Sequence, residues 1–135
     1  MKQQKNTPFT FLLPKIGEPA LGYITVASNS QLPFKPKRVY WTYFTPDSVE
    51  RGNHAHKKLR QIIVAVNGSI EFKLESTTGK KFNFKLDSPD KALYIPEKYW
   101  RTIRFSHNAV LLCLASLEYD KDDYIREYQD LKKNK

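Results

Sequence analysis

Short apolar runs separated by turn residues recur along the chain. Residues 22–26, 38–45, 61–66, 69–75, 81–86, 92–95, 102–105 and 110–117 are rich in β-branched and aromatic side chains. Between them lie turn signals at 15–19, 33–36, 45–47, 67–68, 77–80, 87–90 and 106–108. Many short strands at this spacing predict an all-β sandwich or barrel. In 81–86 the pattern alternates: Phe82, Phe84 and Leu86 face one way, Lys81, Asn83 and Lys85 the other. That is a strand with one wet face. Residues 62–66 are apolar throughout, and 110–117 read similarly, so both strands are expected to be covered on both faces. At the end the period changes. Tyr124, Ile125, Tyr128 and Leu131 fall on one helical stripe behind the acids of Asp120-Lys121-Asp122-Asp123. This predicts one amphipathic C-terminal helix laid against the barrel.

Composition narrows the class. The 135 residues, 40% of them hydrophobic, can bury a core, which excludes a disordered chain. The length fits a single domain over 1–135 with a frayed basic tail at 132–135. One cysteine, Cys113, excludes an intrachain disulfide framework and a multi-cysteine zinc site. It reads as a core residue and fits a reducing cytoplasm. No apolar run approaches the roughly 20 residues that span a bilayer. Pro14 interrupts the first apolar run before it reaches signal-peptide length. A soluble, cytoplasmic protein without a membrane partner is expected. The net charge of +9 calls for an anionic partner. A nucleic acid is set aside, because no RNP-like motif, helix-turn-helix or zinc finger is present.

The chemistry concentrates in His54-Ala55-His56. On an extended backbone residues i and i+2 face the same side, so two imidazoles share one space. Taken alone the pair could be exposed surface. Gly52 before it, Gln61 after it and then Gly68 reproduce the first motif of the cupin β-barrels, with Gln61 where that motif has an acid. The second motif matches Tyr94-Ile95-Pro96-Glu97-Lys98-Tyr99-Trp100-Arg101, with Arg101 in place of the ligand histidine. Gln61 is a weak neutral ligand and Arg101 stays protonated, which leaves too few ligands for a tight metal site. A barrel without metal or other cofactor is expected, with its histidines available for proton transfer.

Beyond the cupin signature, Lys37-Arg38-Val39-Tyr40-Trp41, Arg51-Gly52-Asn53-His54-Ala55-His56-Lys57, Asn67-Gly68-Ser69 and Asp123-Tyr124-Ile125-Arg126 resemble the nucleotide-sugar 3,4-ketoisomerases. The resemblance runs from about residue 33 to 133. It implies a metal-free cupin jelly roll that moves the carbonyl of a dTDP-linked 4-keto-6-deoxyglucose from C4 to C3 through an enediol, for deoxyamino-sugar biosynthesis. It also implies a homodimer, often formed by exchange of an N-terminal strand. By the same resemblance His54 is the base, His56 carries or orients a second proton, and Tyr40 donates its hydroxyl. Arg51 and Arg38 are expected to hold the substrate. Arg101 is expected to clamp phosphate or stabilise the enediolate, and Gln61 to orient an imidazole at the substrate site. Packing remains a competing role for Tyr40, and an exposed turn for Arg51. Lys57-Lys58 and His107 read as surface. Two departures stand out: Arg101 itself, and the lack, at the end of the strand within 17–28, of an acid that the family often carries there. They keep two other readings open, a silent sugar-nucleotide-binding cupin and an isomerase or epimerase on a related keto-sugar nucleotide.

Overall fold

The computed structural model describes residues 6–134. In chain order the strands are β1 (Phe9–Leu12), β2 (Lys15–Glu18), β3 (Gly22–Thr25), β4 (Arg38–Tyr43), β5 (Glu50–His56), β6 (Gln61–Asn67), β7 (Ile70–Glu75), β8 (Lys81–Leu86), β9 (Lys91–Ile95), β10 (Trp100–Phe105), β11 (Val110–Ala115) and β12 (Tyr124–Ile125). Among the described residues one α-helix, α1 (Tyr128–Lys132), follows them. One five-stranded sheet runs β1-β9-β6-β11-β4 and a second runs β12-β5-β10-β7-β8. All recorded pairings are antiparallel. The expected barrel of short strands is therefore present.

Alternation builds the interior. On β7, Ile70, Phe72 and Leu74 are buried while Glu71 and Lys73 are exposed. On β8, Leu86 is buried and Phe82 and Phe84 half-buried, as the pattern predicts. Between the sheets these side chains meet Ile63, Leu93, Ile95 and Cys113. On the outer face of the same sheet Glu71 lies opposite Lys85, and Glu75 opposite Lys81. Opposed charges of this kind keep a solvated face soluble and in register.

β6 is buried on both faces from Gln61 to Ala65. A second cluster explains this: Leu13 and Phe34 pack with Ile62 and Val64 and with their cross-strand partners Tyr94 and Ala92. β11 departs from expectation. Leu111, Cys113 and Ala115 are buried, but Val110, Leu112 and Leu114 are only half-buried. Beside them on β4, Val39, Trp41 and Tyr43 are exposed.

Beyond β1 and β5, which lie outside the runs read as strands, two segments differ from the sequence reading. Residues 15–18, expected as a turn, form β2, which pairs only with β3 and is exposed along its length. The C-terminal helix is also shorter than the apolar stripe implies. Asp120 accepts a hydrogen bond from the Asp122 N–H at 2.9 Å and caps a 3-10 turn at Lys121–Asp123. Tyr124 and Ile125 then pair with His56 and Ala55, and only 128–132 coil as α-helix. The open edge of β5 offers backbone partners here, and a short isolated helix is marginal. Leu131 still packs on Ala55 and Ile125, so the docking face survives.

Candidate active site

β5 does not run straight. Gly52 has φ +91° and Asn53 φ +57°, and the register against β10 slips between Arg101 and Thr102. This is a β-bulge, which re-aims side chains. Glycine is required at position 52, because a Cβ there would lie 2.8 Å from the Arg101 carbonyl oxygen. Beyond the bulge, His54 and His56 line a cavity of about 270 Å³ between the sheets.

The bulge also fixes a tautomer. His54 Nδ1 lies 2.9 Å from the Gly52 carbonyl oxygen. A carbonyl only accepts, so Nδ1 carries the hydrogen and Nε2 keeps its lone pair. Burial, and then the Arg101 guanidinium, lower the His54 pKa to about 4. The ring is therefore neutral at pH 7. His56 is buried, with its ring edge-on to His54 at 5.0 Å. Burial first and Arg101 second lower its pKa as well. The Asp123 carboxylate lies 3.3 Å from His56 Nδ1, off its hydrogen-bond line. Asp123 also accepts from the backbone N–H groups of Lys58 at 2.8 Å and Leu59 at 3.1 Å, which anchors the turn after β5.

Hydrogen-bond donors come from Arg101 on β10, beside β5, and from Tyr40 and Gln61 on the facing sheet. Arg101 is fully buried, yet among the described residues no carboxylate pairs with it. Its Nη1 donates to Gln61 Oε1 and its Nη2 to the Tyr99 carbonyl at 3.2 Å, while Nε has no partner. Gln61 Nε2 donates to the Tyr40 hydroxyl oxygen at 2.8 Å and approaches Cys113 Sγ at 3.6 Å. Gln61 thus holds Arg101 and Tyr40 rather than an imidazole, which corrects the orienting role expected of it. Burial raises the Tyr40 pKa far above the usual range and that of Cys113 to about 11, so both keep their hydrogens.

All seven residues singled out from the sequence, Arg38, Tyr40, Arg51, His54, His56, Gln61 and Arg101, line this one cavity. The Arg38 guanidinium lies over the Tyr40 ring at 5.2 Å, and Arg51 is exposed at the edge. Lys57 and Lys58 are exposed, and so is His107 in its turn beside Thr45, as expected. Three residues lacked a role in the sequence reading. Asp123 and Tyr124 were assigned to a helix, and Arg126 had no assignment. Tyr124 packs on both imidazoles at 5.1 and 4.5 Å, and Arg126 stacks over Tyr124 at 4.1 Å. Their signal was the Asp-Tyr-Ile-Arg motif itself. Among the described residues no three His, Cys, Asp or Glu side chains group as metal ligands.

Comparison with known proteins places the chain. Residues 8–135 match the family described as FdtA: WxcM-like, C-terminal. The chain belongs to this family. It is 40% identical over 111 residues to a TDP-4-oxo-6-deoxy-alpha-D-glucose-3,4-oxoisomerase of Aneurinibacillus thermoaerophilus, covering 82% of this chain and 79% of that protein. A mutant of the 3,4-ketoisomerase QdtA from Thermoanaerobacterium thermosaccharolyticum, solved with TDP-4-keto-6-deoxyglucose, superimposes with a TM-score of 0.87 at 32% identity, over 93% of this chain and 91% of that one. The TDP-quinovose 3,4-ketoisomerase WlaRB of Campylobacter jejuni gives 0.87 at 34% identity, over 93% and 97%. The barrel is thus the cupin fold that the sequence resembles.

Proposed function

We propose that this member of the family is a sugar-nucleotide 3,4-ketoisomerase that converts dTDP-4-keto-6-deoxy-D-glucose to the 3-keto isomer. The observation that carries the reading is a neutral His54 with a bare Nε2, set in a cavity whose other groups, Tyr40 and Arg101, donate.

The isomerisation needs no external oxidant or reductant. His54 Nε2 takes the proton from C3, and the C–H electron pair becomes the C3–C4 double bond. The C4 carbonyl oxygen takes a proton from Tyr40, giving the enediol. Charge that develops on the oxygens is met by the unpaired Arg101 guanidinium, the kind of preset electrostatics that lowers such barriers most. The C3 hydroxyl then returns its proton to Tyr40, and its electrons form the C3 carbonyl. The double-bond pair takes a proton at C4 from the imidazole pair. His56 stands edge-on against His54, and the Asp123 carboxylate 3.3 Å from His56 Nδ1 is the nearest counter-charge to the cation that His54 becomes. Arg51 and Arg38 face the anionic nucleotide, and Arg126 on Tyr124 adds a third cation. A silent binding cupin was motivated by Arg101. That residue leaves His54 Nε2 free, so the observation favours turnover.

The second copy of a homodimer is the proposed partner. The exposed Val39, Trp41 and Tyr43 support it, as do Ile16, Leu21 and Ile24 on the unpartnered β2–β3 hairpin. An apolar groove of about 390 Å³, lined by Tyr23, Val64, Leu112 and Leu114 among others, lies between them and would take a neighbour's chain. Trp41→Arg should shift the mass in light scattering from dimer to monomer, and an unchanged mass would remove this face from the interface. A cytoplasmic location belongs to the same reading. Among the described residues no helix is long and apolar enough to cross a membrane.

Incubation with dTDP-4-keto-6-deoxyglucose in deuterated buffer, followed by NMR, tests the activity. A 3-keto product carrying deuterium at C4 is expected. Unchanged substrate with no label at C3 or C4 would overturn it.

A further inference from the structure

Gln61 holds a position that its chemistry makes directional. We infer that Gln61 is a positioning residue that fixes the hydroxyl of Tyr40 as a hydrogen donor toward the substrate oxygen. The inference rests on the isomerase reading above and goes beyond it by assigning the origin of the donor's direction.

The argument starts at Arg101. A guanidinium only donates, so the atom of Gln61 that meets Nη1 is the carbonyl oxygen Oε1. The opposite amide orientation would press two donors together between two buried side chains. Nε2 is thereby turned to Tyr40 and donates to its oxygen at 2.8 Å. Tyr40 cannot then give its own hydrogen to Gln61. Its remaining neighbour in hydrogen-bond contact is Cys113, whose sulfur is a weak acceptor. A ketone or enediolate oxygen entering the cavity is a stronger one and takes the hydrogen over. Arg101, Gln61 and Tyr40 thus form a chain in which every hydrogen points the same way, from the buried charge toward the reacting oxygen. Such chains polarise cooperatively. Many barrels with this motif carry an acid at the position, and an acid would reverse the last link. Held ionised by Arg101, it would accept from Tyr40 and turn the hydroxyl away from the substrate.

Gln61→Glu tests the inference, because it keeps the shape and reverses the polarity. It also gives Arg101 the counter-charge it lacks, so thermal melting at or above the wild-type temperature is expected. Turnover should nevertheless fall, with kcat down on the order of 10²-fold and KM little changed. Tyr40→Phe should fall comparably, and the double variant no lower than the worse single one. A readout without substrate is the infrared C–O band of ring-labelled tyrosine, assigned to Tyr40 by its loss in Tyr40→Phe. This band should shift in Gln61→Glu as Tyr40 changes from accepting to donating at residue 61. An active wild type whose Gln61→Glu variant keeps its kcat, or whose single effects multiply, would overturn the inference, as would an unshifted band. A shifted band in a wild type that converts no substrate would instead overturn the isomerase reading and leave the polarity standing.

Discussion

The two sheets that wall the cavity receive the same physical treatment and respond in opposite ways. From the sheet of β5 and β10 come His54 and His56. From the sheet of β4 and β6 come Tyr40 and Gln61. Burial is the first cause of the shift on both sides. It lowers the imidazoles and raises the phenol, so each group is held neutral. One wall can then take a proton and the other give one. Arg101 is rooted beside His54 in the first sheet and reaches Gln61 in the second. It lowers the histidine pKa while anchoring the donors, so one cation sets the polarity of both walls.

Removing the acceptor should cost most. His54→Gln is expected to lower kcat about 10²–10⁴-fold while dTDP still binds by calorimetry. If kcat survives, the proton acceptor lies elsewhere. Arg101→Met comes next, with kcat down on the order of 10²-fold. Its sharper signature is in pH. Without the guanidinium the acidic limb of kcat/KM should move up from about 4 toward the ordinary histidine value of 6.5. A limb that stays in place would separate the two walls electrically.

Asp123→Asn should have a smaller effect on kcat. It removes charge behind His56 and weakens the acceptor for two backbone N–H groups, so a loss of about 1–3 kcal/mol in urea unfolding is expected. The smallest effect is global. The folded histidine pKa values lie below the unfolded value, so the unfolded chain binds more protons in acid. Stability should be complete above pH 6.5 and decline as pH falls toward 4, read as a falling melting temperature. A flat profile across that window would mean the imidazoles are not shielded.

Much of this contrast was legible in the sequence, for identifiable reasons. Alternation in β8 and the continuous apolar run of β6 are properties of local spacing, and both strands formed where the spacing puts them. The seven cavity residues sit in short motifs, and the fold brings them together. What escaped notice depends on distant partners. Tyr124 and Ile125 fit a helical stripe as well as a strand, and only the open edge of β5, remote in sequence, decides between them. Strand β2 has no buried face to leave a pattern. The role of Gln61 comes from Tyr40 and Arg101, 21 and 40 residues away. No local spacing encodes those contacts.

The central claim is that His54 meets its substrate as a neutral ring with hydrogen on Nδ1 and none on Nε2. Nitrogen NMR of the labelled histidines, followed from pH 8 downward on the intact protein, measures this directly. Expected is a single Nδ1–H tautomer for His54, with no second proton until the pH nears about 4. An Nε2–H tautomer, or protonation near the ordinary 6.5, would contradict the account.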